Sequence, residues 1–444
     1  MRQNNKKLTF KGGVHPNDAK HYNKDKSIER LPYPEKLIIA LSQGTGKPSV
    51  LTKEVGDKVR RGEVIATPSG AIGNIIVSPA DGTIAEVISI TLPQSIESPA
   101  VVIKTDNPGM IPGDDDFVKI DQNQTPLEMI KSAGIVGMGG AGFPTHIKYS
   151  IPDDKKCEFF IVNASECEPC LCSDYRLLIE KADECIKGVI ECAKILRVRS
   201  VFLALEDNKS DALDKVDKAL NNNRELMTQN NIQIDVKVLK TKYPQGDEKN
   251  LVKVLTKREV PSGKLPLDAG VIISNLGTCY AVYEAIYKQK PLMERVVSVT
   301  GDAIKTPKNV LSPLGATAED LIRFSDGFIE DPEKMISGGP MMGFSFFNTN
   351  TPVVKTTSGL TFLKKAYNAK STPCISCGRC VNACPMHLLP TRLFKLIKAG
   401  KYQEAMDENL MDCRECGCCE FICPSNIDLV QGFKFGKKMG RMSK

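Results

Sequence analysis

Two copies of one cysteine spacing constrain this chain more than any other feature in it. The first comprises Cys374, Cys377, Cys380 and Cys384 followed by Pro385, and the second Cys413, Cys416, Cys419 and Cys423 followed by Pro424. Each reads CxxCxxCxxxCP, the spacing that holds a [4Fe-4S] cluster. Three thiolates on a tight loop reach three corners of one cube, while the fourth, at the start of a helix, faces away from it. The spacing therefore predicts crossed ligation, with Cys374, Cys377, Cys380 and Cys423 on one cluster and Cys413, Cys416, Cys419 and Cys384 on the other. Ile375, Val381, Leu388, Leu389, Phe421 and Ile422 are available to wall the cubes from water, and Cys418 is spare. A pair of structural zinc knots needs only four thiolates per site and gives no reason for this spacing twice.

The module is of the kind found in bacterial two-cluster ferredoxins. Such clusters carry one electron at a time, so the rest of the chain has to say where electrons come from. At 444 residues there is room for about two to four domains. No apolar run approaches the roughly eighteen residues of a membrane span, and the polar start MRQNNKK is not a signal peptide. Sixteen cysteines, half of them in cluster spacing, argue for a reducing compartment and against a disulfide framework. The net charge of +7 shows at the end in Lys434, Lys437, Lys438, Arg441 and Lys444, read as a solvated tail, with docking to an acidic carrier or a membrane surface as the alternative. The 10 Tyr, the lack of Trp and the lack of basic-aromatic interleaving argue against a nucleic-acid role.

Along the chain, residues 1–35 read as an extended polar arm lying over a neighbouring domain, and His15 and His21 have no partner at metal spacing. Residues 36–106 show half-barrel patterning. Val55, Gly56, Asp57, Val59, Gly62, Val64 and Ile65 alternate like a strand and turn, and Ile76, Val77, Ser78, Pro79, Gly82, Ile84 and Val87 repeat the theme. This resembles the flattened barrel-sandwich of biotinyl and lipoyl carriers. The carrier lysine is replaced by Ala71, and no lysine lies between Arg61 and Lys104, so the barrel is expected to dock or pack rather than to swing a cofactor.

Residues 107–121 form a linker rich in Pro, Gly and Asp. Residues 122–290 then alternate helices (Pro126 to Ala133, Asp174 to Leu196, Asp211 to Leu220, Glu248 to Thr256, Tyr280 to Lys288) with strands (Glu158 to Val162, Val201 to Leu205, Ile232 to Leu239, Val271 to Ser274), which predicts a wound α/β sheet. Gly134, Gly137, Gly139, Gly140 and Gly142 crowd into nine positions, a density that lets backbone N–H groups approach an anion such as a phosphate.

Four blocks in this region resemble, in order and spacing, the NADH-oxidising FMN subunit of respiratory complex I. They are Gly137-Met138-Gly139-Gly140-Ala141-Gly142-Phe143-Pro144-Thr145 with Lys148; Asn163-Ala164-Ser165-Glu166-Cys167-Glu168-Pro169; Gly246-Asp247-Glu248; and Asn275-Leu276-Gly277-Thr278. The resemblance implies that Gly137, Gly139, Gly140, Lys148, Asn163, Glu166, Asn275 and Thr278 hold FMN, that Phe143, Glu168, Asp247 and Glu248 face NADH, and that Gly142 and Gly246 complete the cofactor-binding set. Met138, Ser165 and Cys170 replace the arginine, aspartate and glycine of complex I. Cys167, Cys170 and Cys172 overlie the flavin motif and lack a separate fourth ligand, so packing beside the flavin is preferred to an extra metal.

Residues 291–350, with Val296 to Thr300, Gly315 and Ala318 to Phe324, look like the small β-grasp domain that follows the flavin domain in that family. After Gly338, Gly339, Pro340, Met341, Met342 and Gly343, the chain enters the helical two-cluster module at 364–436. Barrel, flavin domain, β-grasp and two-cluster ferredoxin in this order resemble the C subunits of Rnf complexes. Those complexes exchange electrons between ferredoxin and NAD while moving sodium ions or protons. The resemblance implies hydride exchange between NADH and FMN, single electrons through two [4Fe-4S] clusters, and membrane-embedded and iron–sulfur partner subunits. It also implies a peripheral place on the cytoplasmic face of the bacterial membrane. No side chain need act as acid or base, because the chemistry is the cofactor's. Two alternatives stay open on the sequence: a soluble cobalamin reductase, whose relatives carry the barrel at the C-terminal end, and a non-catalytic electron-wire scaffold.

Overall fold

In the computed structural model, which describes residues 8–367 and 369–442, the barrel closes around alternating inward side chains. Two antiparallel sheets face each other. One takes Lys36–Ala40, Ile96–Thr105, Gly82–Leu92 and Lys58–Val59, and the other takes Val50–Leu51, Val64–Thr67 and Ile76–Val77. Leu37, Ile39, Ile65, Ile84 and Ile103 fill the space between them and are fully buried. The sequence patterning showed the two short half-barrel repeats. It did not show that Gly82–Leu92 and Ile96–Thr105 form one long hairpin, whose outer half packs Ile88, Ile90 and Leu92 in two small clusters apart from the barrel core.

The α/β domain is a four-stranded parallel sheet in the order Gln233–Leu239, Ser200–Glu206, Phe159–Ala164, Val271–Asn275. In order of appearance that is 3-2-1-4, so the sheet reverses direction of growth between its first and fourth strands. In open α/β sheets, ligands bind outside the carboxyl ends of the strands at such a switch point. Here those ends carry Asn163 and Asn275, which are register partners. The single helix expected from Asp174 to Leu196 is two, Ser173–Glu180 and Ala182–Leu196, parted at Lys181 where the backbone leaves helical geometry (φ −132°, ψ 35°).

The following small domain is a six-stranded mixed sheet with the helix Ala318–Phe324, which opens on a reciprocal cap between Thr317 and Asp320. Its sheet takes Gly359–Leu363 from the far side of the turn-rich segment and Ile28–Arg30 from the N-terminal arm. Its core is continuous with that of the barrel: Val297, Val299, Leu360 and Phe362 pack in one cluster with Leu37, Ile65 and Ile103. Barrel and small domain thus stabilise one another through shared apolar burial.

The arm makes contacts with three domains. Phe10 is buried against Leu239 and Leu251 of the α/β domain, Val14 exchanges backbone hydrogen bonds with Tyr243 (2.8 and 3.0 Å), and Gly13 N–H donates to Ala383 O of the cysteine module at 2.8 Å. Gly12 requires its missing side chain, since its φ is +90° and a Cβ would lie 2.7 Å from Cys384 O. In the cysteine module, short helices including Arg379–Ala383 and Cys418–Phe421 pack beside the longer Pro390–Lys398 and Leu429–Met442. Among the described residues, no helix is long and apolar enough to cross a membrane. Lys444 and the start MRQNNKK lie outside the described residues.

Candidate functional site

The glycine loop, the segment 163–172 and the helix caps at Asp247 and Asn275 converge at the switch point. Gly137 N–H donates to Phe143 O (2.9 Å), closing the loop into a hairpin-like turn. Met138 N–H donates to Thr278 Oγ1 (2.9 Å), and Asn275 Oδ1 accepts from Thr278 N–H (3.3 Å) as the cap of the helix Leu276–Lys288. Asn275 Nδ2 also donates to Asp174 Oδ2 (2.5 Å). Asn163 bridges two segments, donating to Gly246 O (2.9 Å) and accepting from Ser165 N–H (3.1 Å). The barrel clamps the loop from outside: Thr45 Oγ1 donates to Ala141 O (2.8 Å), and Gly44 lies against Gly142. This gives the barrel a packing role at the site.

The glycines of the loop differ in what they need. Gly142 has φ +68°, and a Cβ there would meet Gly44 Cα at 2.7 Å, so its glycine is required by the fold. Gly140 is exposed, has ordinary φ, and a Cβ there would meet nothing within 4 Å. Its missing side chain serves no neighbour in the chain, and a cradle kept open in this way fits a bound group. Buried polar atoms without partners point the same way: Ser165 Oγ, Glu168 Oε2 and both amide atoms of Gln245, beside Gly246, have none. Exposed backbone at Gly139, Gly140 and Ala141, the two asparagines and these atoms form a donor and acceptor set that suits the phosphate and ring edges of a flavin nucleotide.

The structure engages the carboxylates of the segment within the protein. Glu166 accepts from the backbone N–H groups of Asp174 (2.9 Å) and Tyr175 (3.1 Å) and from Ser173 Oγ (3.2 Å), at the N-terminus of Ser173–Glu180. Glu168 Oε1 accepts from Met341 N–H (3.0 Å) and Met342 N–H (2.7 Å) of the turn-rich segment. Burial pushes the Glu168 carboxyl up to about 7 against those two hydrogen bonds and the pull of Lys20. Asp247 caps Glu248–Thr256 by accepting from Asn250 N–H (3.1 Å), and its second oxygen takes Arg414 Nε of the cysteine module (2.9 Å). Lys148 and Glu248 pair with each other at 3.1 Å. Phe143 is half-buried beside the loop. Of the three departures from complex I, Met138 enters the core, Ser165 is buried, and Cys170 keeps a left-handed backbone (φ 69°) where the complex I glycine is at ease.

Two buried lysines beneath segment 163–172 were not singled out from the sequence. Lys20 of the arm donates to Glu168 O (3.1 Å) and Leu171 O, and Lys209 donates to Ser165 O and pairs with Glu206. A lone lysine in a polar arm carries no pattern that could have revealed it.

The cysteines line two cavities. One is walled by Cys384, Cys413, Cys416 and Cys419 with Met386, Leu388 and Phe433 among its lining. The other is walled by Cys374, Cys377, Cys380 and Cys423 with Ile375 and Leu429 among its lining. Each motif thus gives three cysteines to one cavity and its fourth to the other. Among the described residues, no three His, Cys, Asp or Glu side chains come close enough to hold a single metal ion. Sulfurs spread around a cavity suit a cube with a metal at each corner, whereas one zinc with Zn–S bonds of about 2.3 Å gathers its ligands tightly. Cys374 and Cys377 are exposed, while the cavity of Cys384 lies against the α/β domain, where Arg414 meets Asp247 and Lys249 meets Asp412 at 3.1 Å. Cys418 is fully buried in that seam, its thiol 3.7 Å from Tyr243 O.

Comparison with known proteins assigns the parts. Residues 130–284 match the Nuo51 FMN-binding domain, 8–108 the RnfC barrel sandwich hybrid domain, 296–345 the SLBB domain and 373–427 a 4Fe-4S dicluster domain. The fold is also that of a chain of the NAD+-reducing [NiFe]-hydrogenase in its H2-reduced state, with a TM-score of 0.52 at 17% identity over 72% of this chain; the match spans 63% of the hydrogenase chain. Fold and site together define a mixed α/β multidomain chain of the oxidoreductase class that joins an FMN-binding domain to an iron–sulfur dicluster domain.

Relatives narrow this further. The chain is 42% identical to the C subunit of the proton-translocating ferredoxin:NAD(+) oxidoreductase complex of Clostridium ljungdahlii over 98% of its own length and 94% of the relative's. It is 37% identical to the C subunit of the Na(+)-translocating ferredoxin:NAD(+) oxidoreductase complex of Acetobacterium woodii, covering 97% and 96%. It is 36% identical to the C subunit of the ion-translocating oxidoreductase complex of Rhodobacter capsulatus, covering 98% and 83%. The chain belongs to the family of C subunits of ion-translocating ferredoxin:NAD(+) oxidoreductase complexes.

Proposed function

We propose that this chain is the NAD-handling subunit of an ion-translocating ferredoxin:NAD oxidoreductase, passing electrons between NADH and its partner subunits through FMN and two [4Fe-4S] clusters. The observation that carries this reading is the seam at Asp247 and Arg414, which sets the cavity of Cys384, Cys413, Cys416 and Cys419 against the glycine-loop site while leaving Cys374 and Cys377 exposed. Bound FMN supplies the conversion between two-electron hydride chemistry and single-electron transfer. The residues of this chain position and insulate. Gly139 and Gly140 leave the exposed loop open to phosphate, while the Gly137 N–H closes the loop onto Phe143 O; Asn163 and Asn275 fix the two strand ends, and Phe143 offers an aromatic face to NADH. Met386, Leu388 and Phe433 exclude water from the inner cysteine cavity, a control on the potential of whatever it holds. The exposed cysteine pair marks the side that meets the other subunits of the complex. We read the small domain as a β-grasp, and the chain as peripheral on the cytoplasmic face of the membrane.

The test uses anaerobically purified, cluster-reconstituted full chain, with acid-released flavin measured and NADH then added. One FMN per chain with both flavin and cluster absorbance bleached supports the reading. Clusters without flavin, or flavin that NADH leaves oxidised, overturn it.

A further inference from the structure

The N-terminal arm brings a cation into the protein beneath segment 163–172. Lys20 is 6% exposed. It reaches under segment 163–172 and donates to the carbonyls of Glu168 and Leu171, in a stretch where Glu166 and Cys170 both hold left-handed backbone (φ 39° and 69°). Non-glycine residues in that region are sterically strained, so the conformation has to be held from outside. Three features of the arm hold it: the Lys20 ammonium, the Asp18 carbonyl accepting from Cys170 N–H at 2.7 Å, and Asn23, which is locked to Asn309 of the small domain by bonds of 3.1 and 2.7 Å.

The charges around Lys20 are several and buried. Glu166 and Glu206 supply the negative charge beside it, and Lys209 pairs with Glu206. Burial disfavours the Lys20 ammonium, but the carboxylates of Glu166 and Glu206 outweigh it and hold it charged. A cation beside a group that gains electrons stabilises its reduced form, and in a site shielded from water the effect is stronger. Deleting Lys20 would remove one positive charge from beside Glu166 and Glu206, so the local balance would move toward negative.

We propose that Lys20 is a positioning residue for the flavin: the arm completes the FMN site by holding segment 163–172 in its binding conformation and by placing a fixed positive charge beneath it. The inference rests on the FMN reading above, and the wild-type chain tests that reading separately.

The experiment compares full-length, cluster-reconstituted wild type with Lys20→Met, Lys20→Gln and Lys20→Arg. Iron and sulfide content serves as the folding control, FMN affinity is measured by quenching of flavin fluorescence, and the flavin midpoint potential is measured at saturating FMN. Lys20→Met is expected to weaken FMN at least tenfold and to move the midpoint to more negative potential. Lys20→Gln keeps a donor for the carbonyls, so it should recover part of the affinity but not the potential, and Lys20→Arg should recover the potential. A wild-type chain that binds no FMN refutes the functional reading instead. Should Lys20→Met fail to assemble clusters, the Gln and Arg variants decide. Unchanged affinity and potential in Lys20→Gln, or a potential that shifts equally in Lys20→Arg, overturns the proposal.

Discussion

Gly140 and Gly142 stand two residues apart in one loop, yet they should respond to the same substitution with opposite signs. Gly142→Ala forces a left-handed alanine, about 1–2 kcal/mol. Its methyl also meets Gly44 Cα at 2.7 Å and Thr356 Cγ2 at 2.8 Å, an overpacking of about 1–3 kcal/mol. The two together cost about 2–5 kcal/mol, and at roughly 2–4 °C per kcal/mol for a unit of this size the flavin-free melting midpoint should fall by at least about 4 °C. Gly140→Ala has ordinary φ and open space. It removes only freedom of the unfolded chain, which should stabilise flavin-free protein by about 0.4–1 kcal/mol. The open space it fills is the space proposed for FMN, so affinity should drop at least about fivefold, the equivalent of about 1 kcal/mol of crowding. Differential scanning fluorimetry on flavin-free protein and fluorescence titration with FMN separate the two effects. If Gly140→Ala lost as much stability as Gly142→Ala while binding FMN normally, the cradle argument would fail.

The crossed placement of the fourth cysteines predicts that Cys384→Ser perturbs the cluster held by Cys413, Cys416 and Cys419, whereas Cys423→Ser perturbs the one held by Cys374, Cys377 and Cys380. Electron paramagnetic resonance of the reduced variants should show two different residual signals, and identical spectra would contradict the arrangement. Glu168 titrates near 7 when folded, above its unfolded value near 4.5. The folded chain therefore binds more protons across that window, and stability falls as pH rises from about 4.5 to about 7 by at most about 3 kcal/mol. Glu168→Gln keeps an acceptor for Met341 and Met342, so its unfolding free energy should be flatter over that range and equal to or higher than wild type at pH 8. A steeper profile would show that the ionised carboxylate is needed.

The sequence was most legible where chemistry demands a fixed spacing. The cysteine runs carry their own geometry, and the four flavin-loop blocks could be placed in order because strand, turn and cap residues recur together. Periodicity located the strands of the α/β sheet to within a residue or two. It missed the break at Lys181, because apolar positions continue on one face through both helices. It also could not show how carboxylates would be shared. Glu166, Glu168 and Asp247 look alike as acidic residues in flavin motifs, but one holds a helix N-terminus, one holds the backbone of Met341 and Met342, and one meets Arg414. Each of these partnerships depends on segments between 7 and 174 residues away, a distance over which local pattern is silent. Lys20 was hidden for the same reason.

The route of the arm bears on how such a chain is made. Residues near 12 are synthesised long before their backbone partners in the cysteine module at 383 and 384, and Ile28–Arg30 completes a sheet whose next strand is Lys308–Pro313. Domains fold in turn as they emerge from the ribosome, so barrel and α/β domain can form while the arm still lacks its partners at Asn309, Lys308–Pro313 and Ala383. The arm then becomes the last piece to settle. Its seating reports that the cysteine module has arrived, so a nascent chain stalled before residue 383 would present its flavin domain with the arm incompletely held.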